Sequence, residues 1–359
     1  MTEPKRILLV ADNPYTGGVT SHILSILAAM RGQRRFEFLV ACFPGRNEDA
    51  ALIRAAERLG THVHVFTMAH PFDIRVLKAY RTFLNDNHIQ VVHTHGYRGN
   101  VIAALARTPL PVVSTCHGEI VEPALRTRLW QWLSLRAMRR HARVIACSDY
   151  VRRWLIDKGL AETRVVTVHN SYAPTEAELG LGVPRLPDEL VVLYVGRLVA
   201  GKGLDTLLEA AVGIEKMLVV LVGDGPLRDS LEAQACRLGV RVHFAGAMEN
   251  PTPYYRRADV VVLPSRMEAM PMVLIEAAAH AKPVIATRVG GIPEIVSDDQ
   301  TGILIESSDA GQLHDALDRI RDPGLRAAMG QHALERWRNG FSPEIMADRL
   351  VRIYEELLR

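Results

Sequence analysis

No stretch of the 359-residue chain approaches the roughly 20 apolar residues that cross a bilayer, so any membrane contact is expected to be peripheral. The four cysteines (Cys42, Cys116, Cys147, Cys236) are scattered, with no C-x-x-C pair. That spacing argues against a disulfide framework or a thiolate zinc site and fits reduced thiols in a cytoplasmic protein. Charge of one sign is scarce too: a net charge of +3 does not suggest a nucleic-acid partner. The N-terminal apolar run spans only Ile7 to Val10, which predicts a first strand and not a signal peptide. The fingerprint G-x-G-x-x-G is missing from the first strand-to-helix turn, which counts against a nicotinamide or flavin site. A Walker A loop fails as well, because Lys202 is followed by Gly203.

What is present reads as two globular α/β domains. Apolar residues make up 48% and charged residues 23%, both ordinary for a soluble core. The length exceeds what one core usually serves. Strand-like runs such as Val91 to Thr94 and Val112 to Cys116 alternate with helical patterns such as Ile74 to Asn85 and Arg98 to Ala106. The same alternation restarts at Leu190 and ends in three helical patterns, the last over Pro343 to Leu358. Alternation of this kind predicts parallel, doubly wound sheets. The expected division is 1–171 with the C-terminal helix 343–359, a linker at 172–189, and a second domain at 190–342.

The chemistry concentrates in the second domain. Val261 to Glu276 (VVLPSRMEAMPMVLIE) reads strand, loop, helix, with Glu268 in the loop and Glu276 about two turns into the helix. Leu190 to Ala211 places Arg197 and Lys202 in one glycine-containing strand-to-helix loop, a setting for a pyrophosphate. Gly223-Asp224-Gly225-Pro226 and the backbone around Gly246 and Met248 end the next two strands. All these loops follow strands of one sheet, so they should gather at its carboxyl edge, where α/β proteins bind ligands. In the first domain, the glycine pair Gly17-Gly18 closes the first loop and His117 stands at a strand end. His93 and His95 share a strand face, but with no nearby Cys or carboxylate they do not suggest a metal site. Residues 124–143 carry six arginines with Trp130 and Trp132 among leucines; both a packed helix with a solvated face and a contact with an anionic membrane fit.

The segments GRLVAGKGLDTLLEAA, GDGP, EAMPMVLIEA, GGVTSHI and TCHGE together resemble retaining glycosyltransferases of family 4, along nearly the whole chain. The resemblance implies the GT-B architecture: two Rossmann-like domains with doubly wound parallel sheets, facing a central cleft. It implies a nucleotide-diphosphate sugar, a UDP- or GDP-sugar, on the C-terminal domain and an acceptor on the N-terminal one. The acceptor would be a saccharide, a lipid-linked saccharide or a small molecule. By position, Arg197 and Lys202 match the diphosphate-holding residues and Glu276 the carboxylate on the ribose. Glu268 matches a carboxylate near the sugar hydroxyls, and the backbone of Met270, Pro271, Met272 and Val273 would face sugar and phosphate. His117 matches a histidine beside the sugar, and Gly17 and Gly18 a loop approaching phosphate and acceptor. With no Asp-x-Asp pair, no essential metal and no other cofactor are expected; Arg197 and Lys202 would supply the positive charge. The sequence departs from the family at Glu268-Ala269-Met270 and at Asn170-Ser171, which bears on the identity of the sugar. A nucleotide-sugar epimerase or phosphorylase of the same architecture, and a non-catalytic scaffold, are the competing readings.

Overall fold

The computed structural model describes residues 3–12, 18–43, 51–68, 70, 73–118, 125–174, 186 and 188–359. The chain divides into two compact units, Met1–Ser171 with Pro343–Arg359, and Tyr172–Ser342. Most of the expected linker lies outside the described residues. Its first residue, Tyr172, belongs to the second unit, where its carbonyl accepts from Trp337 Nε1 at 3.1 Å.

The first unit alternates strands β1 (Lys5–Ala11), β2 (Phe36–Cys42), β3 (Val63–Val65), β4 (Val91–His95), β5 (Val112–Cys116), β6 (Arg143–Ala146) and β7 (Val165–Thr167) with helices. The helices are α1 (Gly18–Ala29), α2 (Ala51–Arg58), α3 (Arg75–Asp86), α4 (Tyr97–Ala106), α5 (Leu125–Met138) and α6 (Asp149–Asp157). The seven strands pair in parallel in the order β3-β2-β1-β4-β5-β6-β7. Alternate residues of β1 feed two cores, as a sheet covered on both faces requires. Ile7, Leu9 and Ala11 pack with α1 residues Ile23 and Ile26, while Leu8 and Val10 pack with Tyr80 and Leu84 of α3 and Ile102 of α4.

The second unit contains β8 (Leu190–Val195), α7 (Leu204–Ala210), β9 (Met217–Val222), α8 (Arg228–Leu238), β10 (Val242–Gly246), α9 (Thr252–Arg257) and β11 (Val260–Leu263). It continues with α10 (Met272–Ala279), β12 (Val284–Thr287), α11 (Ile292–Ile295), β13 (Gly302–Ile305), α12 (Ala310–Arg319) and α13 (Pro323–Gly340). Its sheet order, β10-β9-β8-β11-β12-β13, is again parallel. Every residue of β9 is buried, as expected for a strand covered by helices on both faces. The order reverses between β8 and β11, the topological switch point at which open α/β sheets bind ligands. The last helix, α14 (Pro343–Leu357), belongs to the first unit, whose core it joins through Met346, Leu350, Ile353 and Tyr354.

Candidate active site

Arg197 and Lys202 follow β8, and Glu268 follows β11, so the three stand on the two loops flanking the second unit's switch point. Backbone bonds lock these loops to each other and to their neighbours. Arg266 N donates to Gly201 O at 2.9 Å, Leu198 N to Asp224 O at 3.0 Å, and Gly223 N to Gly246 O at 2.8 Å. Two glycines permit close backbone approaches. Gly203 has φ of +66°, and a Cβ there would sit 2.0 Å from Pro264 O. Gly290, beyond β12, has φ of +54°, and a Cβ there would sit 1.7 Å from Glu268 O.

The side chains then converge. Lys202 Nζ donates to Glu268 Oε1 at 2.5 Å, and Ser265 Oγ donates to the same oxygen at 2.7 Å. Glu268 is largely buried, with 11% of its side chain exposed against 27% for Lys202. Arg197 is exposed and makes no ion pair among the described residues. Its carbonyl is held by the Tyr194 hydroxyl at 2.8 Å. Burial pushes the Tyr194 phenol above its ordinary range, and the Glu268 charge adds to that rise while Arg197 opposes it. The site therefore offers one pinned cation, one free cation and a carboxylate at the mouth of the sheet.

Glu276 lies deeper. Helix α10 starts at Met272 after an extended Pro271, so Glu276 is its fifth residue, just over one turn in and not two. Its Oε2 accepts from the Tyr255 hydroxyl at 2.7 Å. Burial raises the Glu276 carboxyl above its ordinary value, and the Tyr255 bond only partly offsets this. Among the described residues no side chain caps α10, which leaves the N–H groups of Met272 and Val273 for a ligand. Met270 and Pro271 are buried beneath that turn, and Gly246 and Met248 are half-buried at the end of β10. Tyr255 and the Gly290 turn carry no sequence signal, because each acts through a partner more than twenty residues away; Ser265 lies three residues before Glu268, but nothing in the loop sequence marks its hydroxyl as a donor to that carboxylate.

In the first unit, Gly18 is the exposed first residue of α1, and Gly17 lies outside the described residues. Asp12, at the end of β1, accepts from the N–H groups of Arg98 at 2.7 Å and Gly99 at 2.6 Å, tying β1 to the first turn of α4. His117 is half-buried just past β5, its Nε2 3.3 Å from Nδ1 of the fully buried His95. His22 of α1 packs against both, with ring centroids 4.9 Å from His117 and 5.4 Å from His95. Burial holds His117 down at about 4 and the other two well below their ordinary range, so all three rings are neutral at physiological pH. His93 does share the face of His95, as the alternation predicts. Both its ring nitrogens are already used, at 2.7 Å each, by Tyr354 and Thr115 hydroxyls.

The arginine-rich segment is only partly helical. Helix α5 stops at Met138, because buried His141 turns the chain onto the sheet through a bond between its Nδ1 and Ser114 Oγ. Arg143 therefore lies in β6, and Arg139 donates to the Lys158 carbonyl at 2.8 Å. Trp130 is buried, whereas Leu125, Leu129 and Trp132 are exposed. Beside α5 lies an apolar cavity of about 610 Å³ whose lining includes Ile74, Leu105, Trp130, Leu133, Arg136 and Arg140. Among the described residues, no helix is long and apolar enough to cross a membrane.

Residues 183–336 match the family Glycosyl transferases group 1, and residues 16–175 match Glycosyltransferase Family 4. The chain belongs to this glycosyltransferase family. An uncharacterized glycosyltransferase of Methanocaldococcus jannaschii is 26% identical over 363 aligned positions, covering 96% of each chain. The alpha-D-kanosaminyltransferase of Streptomyces kanamyceticus is 31% identical over 247 positions, 63% of this chain and 64% of that one. Among solved structures, Anabaena HepE in complex with UDP superposes with a TM-score of 0.82 at 22% identity, over 98% of this chain and 100% of that one. That likeness supports two Rossmann-like domains of the GT-B type for this transferase.

Proposed function

We propose that this transferase moves a sugar from a UDP- or GDP-sugar to an acceptor hydroxyl, with retention at the anomeric carbon and no essential metal. The observation that carries the reading is the meeting of Lys202 and Glu268 at the switch point of the second sheet. Arg197 and Lys202 take the diphosphate and stabilise the charge that grows on it as the sugar departs. Glu268, oriented by Ser265, meets sugar hydroxyls. Glu276, oriented by Tyr255, takes the ribose, and the Met272 and Val273 amides meet phosphate or sugar. His117 meets the donor sugar as a neutral imidazole. Among the described residues no carboxylate stands out as a covalent nucleophile, so the leaving phosphate receives the acceptor proton.

The first unit takes the acceptor, a saccharide, a lipid-linked saccharide or a small molecule. This fits polysaccharide, glycolipid or glycoconjugate synthesis at the cytoplasmic side. The apolar cavity, the exposed Leu129 and Trp132, and Arg136 and Arg140 support peripheral contact of α5 with an anionic membrane.

Thermal shifts with UDP, GDP and ADP and their sugars, with and without magnesium, test the donor assignment, because a ligand of the native state raises the melting temperature. Stabilisation by one nucleotide without magnesium, and a product of unchanged anomeric configuration by NMR, are expected. No shift with any nucleotide refutes the donor site, and an inverted product refutes retention.

A further inference from the structure

His22, His95 and His117 come from three separate elements, α1, the end of β4, and the residue after β5. One nitrogen from each lies within 4.8 Å of the others. A tetrahedral zinc with bonds of about 2.0–2.1 Å sets its ligand atoms about 3.3–3.4 Å apart. The His95 Nδ1 to His117 Nε2 distance, 3.3 Å, already matches that edge. His22 is 1% exposed, and neither of its ring nitrogens has a hydrogen-bond partner among the described residues. His95 Nε2 is likewise buried and unsatisfied. Unsatisfied buried nitrogens carry a desolvation cost that coordination of an ion would remove.

We infer that His22, His95 and His117 form a binding site for a divalent transition metal of the zinc class. Three imidazole nitrogens are a donor set that zinc, cobalt and nickel favour over magnesium or calcium. His93 packs on His95 with its ring centroid 4.3 Å away and, held by Tyr354 and Thr115, fixes the β4 end of the site without ligating. A bound ion would occupy the His117 ring nitrogen, making it a brake on catalysis and not a cofactor. Only that consequence rests on the function proposed above.

The test is metal binding by the chelator-stripped full chain, read by calorimetry with Zn²⁺ and by the visible absorption of Co²⁺. The wild type is expected to bind one ion per chain with a tetrahedral cobalt spectrum, and magnesium should not compete. His22→Phe and His95→Phe replace a ligand by an apolar ring, and each should weaken binding at least about tenfold. Circular dichroism identifies which of the two variants is folded and therefore interpretable, and His22→Gln serves if both phenylalanine variants misfold. Absence of a bound ion in the wild type overturns the proposal, as does unchanged affinity in the folded variants. Because the assay reads the ion directly, a failure of the glycosyl-transfer reading leaves its outcome intact.

Discussion

Lys202 Nζ lies 2.5 Å from Glu268 Oε1, an ion pair that joins the loop after β8 to the loop after β11. The pair holds the lysine at the mouth of the sheet before any ligand arrives. Lys202→Ala should weaken UDP or GDP binding by about ten- to a hundredfold, the loss of about 1.5–3 kcal/mol expected for a charge-assisted bond. Glu268→Gln should leave nucleotide affinity largely unchanged and lower turnover with the nucleotide sugar. Calorimetry beside steady-state kinetics checks both. Unchanged nucleotide affinity in Lys202→Ala would remove the phosphate assignment.

The Gly290 turn predicts a stability effect that is local to the Glu268 loop. Gly290→Ala drives a Cβ against the Glu268 carbonyl at a positive φ and should cost more than about 1 kcal/mol. Gly213 also has a positive φ, +79°, but open space around it, so Gly213→Ala should cost less. Urea unfolding of the two variants side by side separates the steric contribution from the conformational one.

Two histidines outside the site set an acid limit, one in each unit. Burial lowers His141 and His280 to about 4 in the folded chain, from an ordinary value of 6.5. Below 6.5 the unfolded chain therefore binds protons that the folded chain does not. Stability is full above 6.5 and falls as the pH drops towards 4, by up to about 1.4 kcal/mol per pH unit for the deeply buried His141 and by less for His280, whose partial exposure lets solvent screen it. Melting curves from pH 7.5 to 4.5 should show this slope, and His280→Gln should flatten it. An unchanged slope in the variant would refute the assignment.

Glu276 has the opposite sign. Its folded carboxyl titrates above its ordinary value of 4.5, so between these two values the folded chain holds the extra proton. Stability falls as the pH rises through that window, and Glu276→Gln should abolish the fall. The same variant should weaken binding of the nucleotide relative to the free diphosphate, if the carboxylate takes the ribose. Tyr255→Phe should raise the Glu276 value further by removing the bond that now lowers it.

Helix α5 predicts a lipid effect. Trp132→Ala combined with Leu129→Ser should reduce co-sedimentation with anionic vesicles several-fold and leave thermal stability nearly unchanged, since both side chains are exposed. Equal binding by wild type and variant would place the arginines on a merely solvated face.

The sheets were legible because their strands are nearly continuous apolar, β-branched runs, such as Val260–Leu263, and such runs have few alternatives. The charged pair Lys202 and Glu268 was legible because glycines and a strand end mark each loop. Contacts set by tertiary geometry were not. The end of α5 depends on a buried histidine reaching Ser114 on another strand, and no periodicity encodes that. The helix start at Met272 was legible, and counting from it puts Glu276 at the fifth helical residue, just over one turn in. His22 sat in a helical pattern with nothing to mark it, and only the fold brings it to His95 and His117.

Helix α14 imposes an order on biosynthesis. The whole of Tyr172–Ser342 separates Ser171 from Pro343, so the ribosome passes through the second unit before α14 emerges. Until then the first unit lacks Met346, Leu350 and Tyr354, and the partners of these residues on α1 and the sheet stay uncovered. The second unit, one uninterrupted segment, has no such wait. The domain that begins first is therefore completed last, and a nascent chain stalled anywhere before Pro343 exposes an apolar face for chaperones to shield.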